Sequence, residues 1–412
     1  MTDRPVAAAI DRLVRQDGGR LMSALVGRLR DFQLAEDSLQ DALESALVHW
    51  GRHGLPSLPA AWLMRTAQRK AIDRLRRAAN FRAKSAAVAH LMAMDREPDE
   101  PEAEEPIADD RLKLIFTCCH PALDRQTSVA LTLRSICGLT TEEIARAFVV
   151  APAAMAQRLV RARHKITKAG IAYAVPPPAD WPARLDAVLA VIYLTFNEGY
   201  AASSDQPLRA DLCDEAIRLG GILMALCPGQ PEVEGLMALM RLHDARRATR
   251  LGALGEIVPL DAQQRTGWDR AGIEEATALL DAAMARRQPG PYQLQAAIAA
   301  LHAGATSFAD TDWRQIAMLY DRLLALSPNP VYALNCAVAL SYVDGPERAL
   351  QPLAALEILL ADYQPFHAGR ADVLARAGDR AAAAAAYRRA IDLSGTEAER
   401  RFLRERLGRL EA

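Results

Sequence analysis

Apolar residues in this chain return every third or fourth position and almost never every second one. A strand exposes alternate residues to alternate faces, so a sheet protein needs period-two segments. Their rarity, together with the abundance of Ala and Leu, predicts an all-α fold. At 412 residues the chain exceeds one ordinary domain and suits two to four. With 51% apolar and 25% charged residues, each domain can bury a core. Proline-rich and glycine-rich breaks fall at "GRHGLPSLP" (51–59), "DREPDEPEAEEPIADD" (95–110) and "VPPPADWP" (175–182).

Before the first break the periodicity predicts helices over about Ala7 to Arg15, Arg20 to Leu29 and Ala35 to Trp50. In the third, Leu39, Leu43, Ala46, Leu47 and Trp50 form one stripe, and Asp37, Gln40, Asp41 and Glu44 face away. After the break comes "AWLMRTAQRKAIDRLRR", from Ala61 to Arg77. Leu63, Ala67, Ala71 and Leu75 recur at four-residue steps beside Trp62. Arg65, Arg69, Lys70, Arg74, Arg76 and Arg77 occupy much of the remaining circumference, with Asp73 the sole acid.

The whole-chain charge of −1 conceals a strong local asymmetry. Residues 52–90 carry a net +8 and residues 95–110 a net −8. Local fields recruit partners, and a cationic helix face is the footprint of a phosphate backbone. A merely solvated face would interleave acids among its bases. The acidic segment has too little apolar surface to fold and reads as a flexible linker.

A second module spans about Arg111 to Tyr173, centred on "TTEEIARAFVVAPAAMAQRLVRARHKI". Thr140 and Glu143 have the spacing of a capping box, and Pro152 suits the first position of a following helix. In that helix Met155, Leu159, Ala162 and Ile166 share one face, leaving Gln157, Arg158, Arg161 and Lys165 elsewhere. Five Lys/Arg and no acid lie between Ala153 and Gly170. A short helix, a tight turn and a basic second helix make a helix-turn-helix, whose second helix fits a major groove. Gln reads adenine and Arg reads guanine.

The tail is helical and Ala/Leu-rich. "NCAVALSYVDGPERALQPLAAL" resembles "RADVLARAGDRAAAAAAYRRAI", with Gly345 and Gly378 spaced 33 residues apart. Helix pairs repeating near 34 residues suggest a tetratricopeptide-like arrangement. "YLTFNEGYAASS" (193–204) places Asn197, Glu198 and Tyr200 in an apolar helix where Gly199 loosens it. Acid–base chemistry by Glu198 and Tyr200, satisfaction of backbone groups at a helix junction, and a regulatory interface all suit those residues. "FTCCHPAL" sets Cys118, Cys119 and His120 side by side, but adjacent helical ligands diverge by about 100° and no second cluster completes a site. Buried thiols and a turn at Pro121 are expected. The six cysteines form no CxxC pair, no apolar run spans a bilayer, and Asp3, Arg4, Asp11 and Arg12 interrupt any signal-peptide pattern. The expectation is a cytoplasmic protein with neither metal nor cofactor and no membrane partner.

Taken in order, "AEDSLQDALESALVHW", "PAAWLMRTAQRKAIDRLRR", the acidic linker and "LTLRSICGLTTEEIARAF…AAMAQRLVRARHKI" resemble a bacterial RNA polymerase sigma factor of the extracytoplasmic-function group. The tail with "FNEGYAAS" and "DGPERAL" resembles the subgroup bearing a tetratricopeptide-like C-terminal extension. The resemblance implies two small helical sigma domains, 5–92 and 111–173, joined by an acidic linker, 93–110, and followed by an α-helical extension, 183–412. It implies a non-enzymatic subunit that binds core RNA polymerase and promoter DNA. Arg65, Arg69, Lys70, Arg74, Arg76 and Arg77 would hold the minus-ten element and its separated strand. Asp37, Gln40 and Asp41 would dock on the clamp helices of the polymerase's largest subunit. The helix from Ala153 to Arg163, with Gln157, Arg158, Arg161 and Arg163, would read the minus-thirty-five element. Asn197, Glu198 and Tyr200 would serve as a regulatory interface, with the extension open to a protein regulator. Arg69 stands where the family commonly has Asn, Ala156 where Lys is frequent, and Ala151 where a Ser cap is frequent, a loss of about 1 kcal/mol. Two other readings stay open: a helix-turn-helix regulator with a ligand- or protein-sensing solenoid, and an enzyme fused to a DNA-binding head.

Overall fold

The computed structural model describes residues 3–77, 110–135, 138–148, 150–169, 171, 180–201, 208–252 and 255–411. The chain divides into two compact units, Met1–Thr195 and Phe196–Ala412. Among the described residues both are helical, and the β content is a single isolated bridge between Leu251 and Ile257. The acidic linker, apart from Asp110, lies outside the described residues.

In the first unit, α1 (Asp3–Leu29) is one helix where the sequence suggested two. Gly18 and Gly19 do not break it. Val14 Cγ1 sits 3.5 Å from where a Gly18 Cβ would be, and Ser23 Oγ donates to the Gly19 carbonyl at 2.7 Å. Tertiary packing therefore outweighs the roughly 1 kcal/mol that each glycine forfeits in helix propensity. α2 (Phe32–His53) begins at Asp31, whose carboxylate accepts from Leu34 N at 3.0 Å. It ends at Gly54, where φ is +81°.

α2 buries a face shifted from the expected stripe, of which Ala46 and Trp50 are inside. Ala35, Ser38, Ala42, Ala46 and Trp50 are inside, Leu39 and Leu43 are half-buried, and Leu47 is 44% exposed. Helices α1 and α3 (Pro59–Arg77) both pack on α2. Small side chains at those positions allow close backbone approach, so Ala is selected over Leu for the interior. On α3 the Leu63, Ala67, Ala71 and Leu75 stripe is buried as its spacing predicts.

The remaining helices of this unit are α4 (Asp110–Cys118), α5 (Arg125–Ser135), α6 (Thr141–Ala147) and α7 (Pro152–Ala169). The capping box forms: Glu143 N donates to Thr140 Oγ1 at 3.1 Å, and Thr140 N to the Glu143 carboxylate at 2.6 Å. Met155, Leu159, Ala162 and Ile166 all face the core. α4 packs on α1, α5 and α6 pack on α7, and α7 touches α2.

α8 (Pro182–Tyr200) carries the chain from the first unit into the second. The second unit continues through α9 (Ala210–Leu226), α10 (Pro231–Asp244), α11 (Arg270–Met284), α12 (Pro291–Gly304), α13 (Trp313–Leu326), α14 (Pro330–Val343), α15 (Pro346–Ala355), α16 (Gln364–Arg376), α17 (Arg380–Leu393) and α18 (Glu397–Glu411). From α9 onward, nearly every helix packs on its sequence neighbour, as serial helix pairs require. Gly345 and Gly378 take equivalent turns between paired helices, with φ of +92° and +85°, which only glycine adopts at low cost.

Candidate nucleic-acid interface

The cationic face of α3 follows from its buried stripe. Once Leu63, Ala67, Ala71 and Leu75 are inside, Arg65, Arg69, Arg74 and Arg76 fall on the exposed side and Lys70 at its edge. Arg77 closes the helix. Trp62 is half-buried, edge-on to Trp50 at 5.3 Å and stacked near His49 at 5.5 Å.

Arg74 is engaged. Its Nε and Nη2 donate to the two carboxylate oxygens of Asp41, both at 2.9 Å, and its Nη1 donates to Asp37 at 3.2 Å. The geometry brings together two groups that the sequence assigned to different partners, DNA for Arg74 and polymerase for Asp37 and Asp41. Gln40 stays exposed on α2, with its amide 3.5 Å from Glu44.

On α7, Gln157 and Arg161 are exposed, and Arg158 is half-buried with Nη1 donating to Gln126 of α5 at 3.0 Å. Arg163 lies elsewhere. It pairs with Glu36 of α2 at 2.7 Å, and each side chain is only 23% exposed. Burial, opposed by Arg163 and Arg134, pushes the Glu36 carboxyl up. Sequence reasoning missed Glu36, because nothing local marks a residue whose partner lies more than a hundred positions away. It also missed four exposed apolar side chains, Leu47 and Val48 on α2 and Leu55 and Leu58 in the segment between α2 and α3. Exposed large apolar side chains beside charged ones are typical of a docking surface.

Asn197 is half-buried, and Glu198 and Tyr200 are buried. The Tyr200 ring lies 5.6 Å from Phe196 and 5.2 Å from His243, with the Arg250 guanidinium 3.8 Å above it. Gly199 does not loosen α8, which runs on to Tyr200. It permits a close crossing instead: a Cβ there would stand 2.7 Å from Cys213 N and 2.9 Å from the Arg209 carbonyl. At "FTCCHPAL", Cys118 and Cys119 are buried and burial pushes the Cys119 thiol up to about 12. His120 Nδ1 accepts from Ala122 N at 3.1 Å, shaping the turn at Pro121.

Comparison with known proteins matches these modules separately. Residues 13–81 match the sigma-70 region 2 family and residues 113–166 the sigma-70 region 4 family. Residues 184–284 match a family of unknown function, DUF6596. An uncharacterised protein of Rhizobium meliloti (strain 1021) is 42% identical over 397 residues, covering 95% of this chain and 93% of its own. No solved structure matches. Among the described residues no helix is long and apolar enough to cross a membrane. Regions 2 and 4 are DNA-binding and recognition modules, and their partners are core RNA polymerase and promoter DNA. With both regions present in order on their own helical scaffolds, the chain belongs to the sigma-70 family of RNA polymerase sigma factors.

Proposed function

We propose that this sigma factor is of the extracytoplasmic-function type, acts in the cytoplasm, and opens the minus-ten region through α3. The observation that carries this reading is the division of α3 into a fully buried apolar stripe and an exposed arginine face. Arg65, Arg69, Lys70, Arg74, Arg76 and Arg77 would hold the phosphates and the separated strand. Arg guanidinium forks match phosphate oxygens bidentately, so the helix binds backbone irrespective of base. No cofactor enters, because strand opening draws on binding energy. Gln157, Arg158 and Arg161 of α7 would contact the minus-thirty-five element. Asp37, Gln40 and Asp41, with the exposed Leu47 and Val48 nearby, would dock on core polymerase. The second unit is a tetratricopeptide-like extension that modulates activity, with Asn197, Glu198 and Tyr200 as its regulatory residues and a protein regulator as its partner.

Promoter-specific transcription by purified core polymerase with the full chain tests the reading. The parent should give a specific transcript. Arg65→Ala with Arg69→Ala should abolish promoter opening while core binding persists, and should lower the slope of log affinity against log salt by about 1 per lost contact. Arg158→Ala should change discrimination among upstream sequences by about 1–3 kcal/mol. A double variant that opens promoters like the parent at every salt concentration would refute the assignment.

A further inference from the structure

The second unit contains a cavity of about 360 Å³ bounded by α12, α13, α14, α16, α17 and α18. Sites for small organic ligands are concave, mostly apolar and furnished with a few placed polar groups, and about 300 Å³ is their lower bound. This cavity has that constitution. Its walls include Trp313 and Tyr342, stacked at 4.2 Å, together with Ile316, Val338 and Phe402. All of its lining residues belong to the second unit, and nothing in the transcription reading uses it.

The polar groups have an unusual balance. Asp261, Asp372 and Arg406 all line the cavity. Arg406 stands between the two acids, 3.6 Å from Asp261 and 3.7 Å from Asp372. Both distances exceed those of charge-assisted hydrogen bonds, about 2.7–2.9 Å. Arg406 is steadied by other means: its guanidinium lies 5.4 Å from the Phe402 ring. Asp372 has its closer partner in Arg376, at 3.0 Å. The arrangement therefore presents a guanidinium fork and carboxylates side by side without joining them at full strength.

That pattern suits a ligand that carries both charges itself. A carboxylate would take the Arg406 fork, and an ammonium on the adjacent carbon would reach the Asp261 or the Asp372 carboxylate that flanks it. The apolar wall by Trp313, Tyr342 and Ile316 would receive a flat or bulky side group. A plain amine would compete with Arg406 for the carboxylates and offer it nothing in return, and a plain acid would face two carboxylates. We propose that this cavity binds a zwitterion of amino-acid type with an apolar, aromatic-sized side group.

The test uses the full-length chain and three probes: phenylalanine, phenethylamine and 3-phenylpropionate. Binding is followed by isothermal titration and by saturation-transfer NMR. Phenylalanine should bind saturably, and each one-charge analogue at least about tenfold more weakly, as loss of a charge-assisted contact dictates. Arg406→Met and Asp261→Asn should each weaken phenylalanine by a similar factor. Asp261 sits at the rim, so its variant keeps the fold, and an unchanged far-UV melting curve verifies that. Absence of phenylalanine binding would overturn the proposal. So would an amine or acid binding as tightly as the zwitterion, or an Asp261→Asn protein binding like the parent. Polymerase and DNA are absent from the assay, so its outcome does not depend on the transcription reading.

Discussion

Gly199→Ala isolates what the "FNEGY" segment contributes to the fold. The added methyl carbon would stand 2.7 Å from Cys213 N, 2.8 Å from Cys213 Sγ and 2.9 Å from the Arg209 carbonyl oxygen, where ordinary contact begins near 3.4 Å. Two of those atoms are backbone and cannot swing away as a long side chain would. They are also tied to the glycine, because Arg209 N donates to the Gly199 carbonyl at 2.7 Å. Relief requires α9 to move off α8 by about half an ångström or more, and overpacking of this kind costs about 1–3 kcal/mol. Straining the crossing hydrogen bond adds about 1 kcal/mol. Against this, alanine gains at most about 1 kcal/mol of helix propensity, and less at the last turn. The steric terms win, for a net loss of about 2 kcal/mol.

Gly221→Ala on α9 supplies the control, since its Cβ meets only Met237 Cε, at an ordinary 3.6 Å. There propensity acts alone, and stability should rise by about 0.5–1 kcal/mol. Urea unfolding followed by far-UV circular dichroism measures both, and the midpoints should shift in opposite directions with similar slopes. A Gly199→Ala protein at or above parental stability would refute the close-crossing account, as would two shifts of the same sign.

The second unit should also lose stability in acid. Burial, reinforced by Arg246 and Arg265, lowers His302 to about 4 from its ordinary 6.5, and burial lowers His243 in the same direction. The folded state therefore refuses protons that the unfolded chain accepts, so stability is full above about pH 6.5 and falls toward pH 4, by up to about 3 kcal/mol for His302. Urea midpoints at pH 7 and pH 4.5 should differ less in His302→Gln, and an equal difference would exclude the histidine as the cause. In the first unit, Glu36→Gln removes the charge that pairs with Arg163 on α7. Upstream promoter DNA should then bind the full-length protein more tightly by fluorescence anisotropy, and unchanged affinity would mean that the pair does not restrain α7.

What could be read from the sequence was what is local. The capping box at Thr140 and Glu143 needs two residues three apart, and the structure forms both of its bonds. The α3 and α7 stripes are set by three- and four-residue spacing, and every residue in them is buried. The errors come from packing between distant segments. Of the stripe expected on α2, Ala46 and Trp50 are buried, but hydrophobicity does not report how closely two backbones must approach, and Ala35 and Ala42 take the interior in place of Leu39, Leu43 and Leu47. For the same reason Gly199 read as a loosening point when it lies within a helix and marks a close contact, and the break expected between two N-terminal helices is absent from α1. Glu36 and Arg163, on separate helices, carry no shared local signal at all.

The Arg74 ion pairs show how energetics decides what such contacts mean. In the proposed reading, Arg74 belongs to DNA and Asp37 and Asp41 to polymerase, yet here they hold one another. If the pairs were deeply buried, separating them would leave uncompensated charge at several kcal/mol, and the arrangement would lock the surface against both partners. They are not: Arg74 is 41% exposed and the two acids 36% and 29%. Pairs so open to water contribute about 0–1 kcal/mol and weaken further with salt. A phosphate can take Arg74, and a cation can take Asp41, at little cost. Whichever partner arrives first releases the group that the other needs, so the two bindings favour each other by no more than the pair itself is worth.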